Sequence, residues 1–175
     1  SRRVWGNRMR DYLFLNQQDI EEIRQKIESY DWARDLYEKI KNDTTFAAMS
    51  KDEVSETVRA MSYILEEGRW LKQKSLVYAV SGDDRDIPLL IEALERRFFE
   101  PWGFDLLIFQ ITATVPFDLE YLKDYWTLWL HLANHALAFT LIKDHPSFGA
   151  ARIARFERRF RQILTAKKIN YREIV

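Results

Sequence analysis

The sequence predicts an all-α fold of antiparallel helical hairpins, and three observations carry that prediction. Apolar residues recur at helical spacing over most of the chain, as in Ile20, Ile23, Ile27 and Ile40, or Val54, Val58, Met61 and Leu65. Capping residues stand where these runs begin: Asn16, the pair Ser50 and Glu53, Asp86 and Asp118. The few Gly and Pro fall mostly at boundaries, leaving strands almost nowhere to pair.

Residues 1–15 read as an extended leading segment anchored by Val4, Trp5, Tyr12, Leu13 and Phe14. Asn16 then caps a helix over 17–42, with Asp19, Glu21 and Glu22 favourably placed against the helix dipole in its first turns. Trp32 and Leu36 continue its apolar spacing, and a break or bend is expected near Ser29 to Asp31. Ser50 and Glu53 form a capping box for a second helix, whose apolar face runs through Val54, Val58, Met61, Leu65, Leu71, Leu76 and Ala79. Gly68 is a weak point in that helix, and Gly82 supplies its C-cap.

Asp86 is positioned to cap a third helix, in which Pro88 is tolerated because first-turn amides have no intrahelical acceptor; the helix should end near Phe99. The segment 104–115 mixes β-branched residues with a length and setting that suit a buried helix, and it is read as helix. Pro116 ends it, and Asp118 caps a long central helix through Tyr121 to Ile142, apolar on nearly every side. His145, Pro146 and Ser147 close that helix and open the last one. The chain is thus expected to form a single helical domain over 1–175.

Composition narrows the function classes. Apolar residues at 47% and charged residues at 31% fit a globule that buries roughly 70% of its unfolded surface, not a disordered chain. Acidic and basic residues balance at 27 each, so no overall field favours nucleic acid or an anionic membrane. A local excess exists over 151–175, where Arg152, Arg155, Arg158, Arg159, Arg161, Lys167, Lys168 and Arg172 face only Glu157 and Glu173. It reads first as a solvated face, and second as an anion-binding one. The lack of Cys excludes disulfides and thiol chemistry, and no apolar run reaches the ~20 residues that span a bilayer.

The central helix carries the candidate site. Glu120, Asp124, Thr127, His131, Asn134 and His135 form a narrow polar stripe along it. His131 and His135 stand at i and i+4, a metal-gripping spacing, but Leu132 replaces the Glu that a zinc peptidase needs and no third ligand is evident. Neither a metal nor a cofactor is therefore expected. Trp126 and Trp129 are either core residues or an aromatic platform for sugar rings, with His131, Asn134 and His135 taking the hydroxyls. The carboxylate pairs Glu66/Glu67 and Asp83/Asp84 read as solvated. Phosphate loops, nucleophile elbows and dinucleotide fingerprints are absent.

Three segments together resemble the helical N-terminal part of heparinase II/III-like and alginate-lyase-like polysaccharide lyases. They are Asp11 to Ile27 followed by Trp32-Ala33 and Tyr37, then Tyr78 with Ser81-Gly82-Asp83, then Leu137 to Phe148. Ser81 stands where the family has Thr, and Phe139 and Thr140 where it has Tyr-Asp. The resemblance implies a partial α/α toroid, a piece of a larger multidomain protein, in a periplasmic or secreted setting. It implies an acidic, uronic-acid-containing polysaccharide or oligosaccharide as partner, cleaved by β-elimination, and it leaves self-association or missing C-terminal domains as further partners. Trp126, Trp129, His131, Asn134 and His135 would line the groove. Asn134 and His135 match the catalytic residue types but lack the surrounding Gly-Asn-Asn-His context, and the family's catalytic Asn-His and Tyr come later in the toroid. The competing reading is a non-catalytic helical interaction or scaffold domain, with the stripe a buried polar seam.

Overall fold

The computed structural model describes residues 15–45, 60–100, 103–104 and 126–173, of which 60–63, 126–131 and 164–173 are described by their backbone alone. The described residues form six helices and no strand: α1 (Gln17–Ser29), α2 (Asp31–Lys41), α3 (Ala60–Ser81), α4 (Ile87–Phe99), α5 (Trp126–Ile142) and α6 (Gly149–Glu173). The capping box at Ser50 and Glu53, the segment 105–115 and Asp118 lie outside the described residues.

Asn16 caps α1 reciprocally: its side chain accepts from the Asp19 amide at 2.9 Å, and Asp19 accepts from the Asn16 amide at 2.8 Å. The expected break occurs at one residue. Tyr30 is extended (φ −124°, ψ 127°), ending α1 and starting α2 at once. Neither Gly nor Pro causes it, so the freed backbone groups must be satisfied by other means. Arg34 does part of this, donating to the Glu28 carbonyl at 2.9 Å while pairing with Asp31 at 3.1 Å.

α3 runs without interruption through Gly68 and ends as the sequence suggests, at Gly82 with φ 72° and its amide bonded to the Tyr78 carbonyl at 2.7 Å. Its buried surface keeps Leu71 of the expected face and extends well beyond it. Ile64, Glu67, Trp70, Leu71, Lys74, Ser75, Val77 and Val80 are buried because α3 is enclosed on several sides, whereas Leu65, Leu76 and Ala79 are only partly so. It packs along most of its length on α5 and also touches α1, α2 and α4. Asp86 starts α4 but makes no side-chain capping bond; its carboxylate turns to Lys74 instead, at 3.1 Å. Pro88 sits in the first turn as expected, and α4 ends at Phe99.

One device recurs at three helix ends. The last carbonyls of a helix lack intrahelical donors and carry partial negative charge, so a cation from a neighbouring helix can cap them. Lys74 of α3 donates to the Lys41 carbonyl at the end of α2 at 2.5 Å. Arg24 of α1 donates to the Val80 carbonyl at the end of α3 at 2.5 Å, and Arg159 of α6 to the Phe98 carbonyl at the end of α4 at 2.6 Å. Each bond fixes one helix against another.

α4, α5 and α6 meet in an aromatic cluster of Phe98, Phe139, Phe148, Phe156 and Phe160, with neighbouring centroids between 4.6 and 5.8 Å apart. Phe104 joins it against Phe98 at 4.9 Å. Most of these ring pairs are tilted or edge-on, the arrangements favoured by the ring quadrupole. Trp32 and Leu36 depart from the expected core, being 63% and 51% exposed, because α2 turns Ala33 inward and that apolar edge outward.

Candidate functional site

The polar stripe of α5 meets α3 where α3 carries Glu67 and Gly68. Gly68 has a packing role there: a Cβ built on it would lie 2.8 Å from both Cε1 and Nδ1 of His135 and 3.0 Å from Cβ of Asn134. Only a residue without a side chain lets the two helices approach this closely. Asn134 is 7% exposed and His135 fully buried. Of the other proposed groove residues, Trp126, Trp129 and His131 lie on the same helix, their side chains outside the described residues.

Around His135 stands a charged network that joins three helices. Glu67 of α3 and Arg97 of α4, each 1% exposed, form a two-pronged ion pair: Arg97 Nε donates to Oε1 at 2.5 Å and an Arg97 terminal nitrogen to Oε2 at 3.0 Å. His135 Nε2 lies 3.2 Å from the same Oε1. An ionised carboxylate only accepts, so Nε2 carries the hydrogen of this bond. The imidazole is held edge-on by Phe104 at 5.2 Å and Phe98 at 6.3 Å.

Electrostatics follow from this geometry. Burial alone pushes the Glu67 carboxyl up, yet the His135 hydrogen bond, then the charge and hydrogen bonds of Arg97, outweigh it and hold the group below the ordinary carboxylate range. Glu67 is thus kept as a buried anion by two partners. With all three groups enclosed, the arrangement neutralises charge and fixes helix positions. A cleft of about 240 Å³ does lie elsewhere, between α4 and the start of α6, lined by residues including Pro88, Ile91, Glu95 and Arg152. It contains no residue of the α5 stripe.

The sequence reading that Glu66 and Glu67 are both solvated is corrected for Glu67; Glu66 is exposed and pairs with Arg69 at 2.7 Å. The signal for Glu67 was spacing: it stands midway between Ile64 and Leu71 on the buried face. Arg97 had no such signal in an Arg-Arg pair near a helix end. Asp83 pairs with Arg85 at 2.7 Å, while Asp84 faces His145 at 3.6 Å. On α6, Arg155 stacks 3.7 Å from the Phe99 ring centre and Arg152 pairs with Glu95 at 2.9 Å, while Arg155, Arg158 and Arg161 are exposed.

Comparisons with protein families, curated proteins and solved structures find no match to this chain. No helix among the described residues is long and apolar enough to cross a membrane.

Proposed function

We propose that this chain is a non-catalytic helical interaction domain in which the α5 stripe is a structural seam. The supporting observation is that His135, the residue with the most catalytic potential in the sequence, is fully buried and engaged by Glu67 against Gly68. A buried charge network of this kind fixes which helices meet and at what register. The test is a panel of uronic-acid oligosaccharides scored by tryptophan fluorescence and melting temperature. On this reading His135→Ala lowers the melting temperature and no sugar shifts it. Intact stability in His135→Ala together with lost sugar binding would contradict the seam.

A second reading is favoured by the exposed arginines of α6. In it the chain is the helical N-terminal part of a polysaccharide-lyase-like protein, a partial α/α toroid whose Arg155 and Arg158 attract an acidic glycan toward a groove on α5. It predicts salt-sensitive oligosaccharide binding that Arg155→Glu/Arg158→Glu removes. An increase in absorbance from an unsaturated product would further indicate β-elimination.

A further inference from the structure

The α1–α2 corner leaves an apolar edge uncovered. Tyr30, Trp32 and Leu36 are 54%, 63% and 51% exposed, and the Tyr30 and Trp32 rings stack with centroids 6.2 Å apart and planes 28° apart. Trp32, Asp35 and Leu36 share one face of α2, since they are three and four residues apart. Exposed large apolar residues gathered in one place mark association surfaces more often than chance exposure. The charge around this edge indicates what covers it: Glu28, Asp31 and Asp35 stand there against Arg34, so a basic partner is favoured.

This molecule carries such a surface itself. Over 149–163, α6 exposes Arg155, Arg158 and Arg161 against Glu157, while Arg152 and Arg159 are engaged within the chain. Its outward face places Ala151, Ala154 and Arg158 at i, i+3 and i+7, all exposed, giving a flat floor of small side chains beside a guanidinium. Bulky rings fit against a floor of alanines, and guanidinium groups stack on aromatic faces, as Arg155 already does on Phe99 at 3.7 Å. α2 packs on α1 and α3, while α6 sets its phenylalanines against α4 and α5, so both faces stay exposed within one chain.

We infer that the Tyr30, Trp32 and Leu36 edge of one copy docks on the Ala151, Ala154 and Arg158 face of a second copy. This rests on the interaction-domain reading and names its partner. The contact joins two different surfaces, so it is head-to-tail and extends into short chains or closes into rings.

Sedimentation of the purified chain over a rising concentration series tests it. Average mass should climb with concentration and fall as salt is added, because the charges across the contact are screened. Trp32→Ala destroys one half of the contact and Arg158→Glu the other; both positions are exposed, and circular dichroism verifies folding. Each variant alone should associate roughly tenfold or more weakly than the parent. Mixed, they should form a one-to-one dimer and nothing larger, since one intact half remains on each. A parent that stays monomeric, or a mixture that gives no dimer, overturns the inference. A monomeric parent that binds uronic-acid oligosaccharide through Arg155 and Arg158 assigns the α6 face to the glycan instead. The interaction-domain reading is judged separately, by the melting temperature of His135→Ala.

Discussion

Gly68 shows how one residue can be misjudged when only its propensity is considered. A glycine inside a helix costs roughly 0.5–1 kcal/mol relative to Ala, which is why it reads as a weak point. In the fold it admits His135 and Asn134 to within a distance that no Cβ allows. Gly68→Ala should therefore destabilise the chain by about 1–3 kcal/mol despite its better helix propensity, as overpacking outweighs the propensity gain. Urea unfolding checks this; a stabilised variant would mean that α3 and α5 do not approach as described. Glu67 was similarly hidden, since a carboxylate is rarely buried unless paired, and its partners lie 30 and 68 positions away in sequence. The partial burial of the α5 stripe was legible as one of two readings. Which one holds depends on what α3 presents opposite it, and spacing along α5 alone carries no information about that.

Helix starts and stops were the most legible features, because a cap acts within a few residues of the end it satisfies. Asn16, Gly82 and Pro88 all do locally what their chemistry indicates. Asp86 does not: Lys74, twelve positions earlier, offers its carboxylate a charged partner. The cation caps at the ends of α2, α3 and α4 were invisible for the same reason, each joining separate helices. Asn16→Ala should cost about 1 kcal/mol by removing one arm of the α1 capping box. The same substitution in a peptide covering α1 alone should lower helicity measured by circular dichroism. Unchanged helicity there would show that packing, not the cap, sets where α1 begins.

For the molecule as a whole, periodicity was sufficient for the all-α class, since six described helices and no strand are present. It misplaced Trp32 and Leu36, because a helical stripe shows which residues share a face and not whether another element covers it. The acid response of the fold follows from Glu67. Its carboxyl is held below the ordinary value by His135 and Arg97 despite burial, so the unfolded chain takes up that proton first as pH falls. The stability it confers is complete above the ordinary carboxylate value of about 4.3 and disappears as pH drops below that through the depressed native value. The measurement that tests the structural seam most directly is urea unfolding of Glu67→Gln beside the double variant Glu67→Leu/Arg97→Met. The seam predicts a loss of about 3–5 kcal/mol for the single change, which removes the buried anion that faces Arg97. The double change should regain most of it, the remainder reflecting the acceptor that His135 loses, and in both variants the acid-sensitive part of the stability should vanish. A Glu67→Gln variant within about 0.5 kcal/mol of the parent would contradict the account, because that is the behaviour of a solvated surface carboxylate.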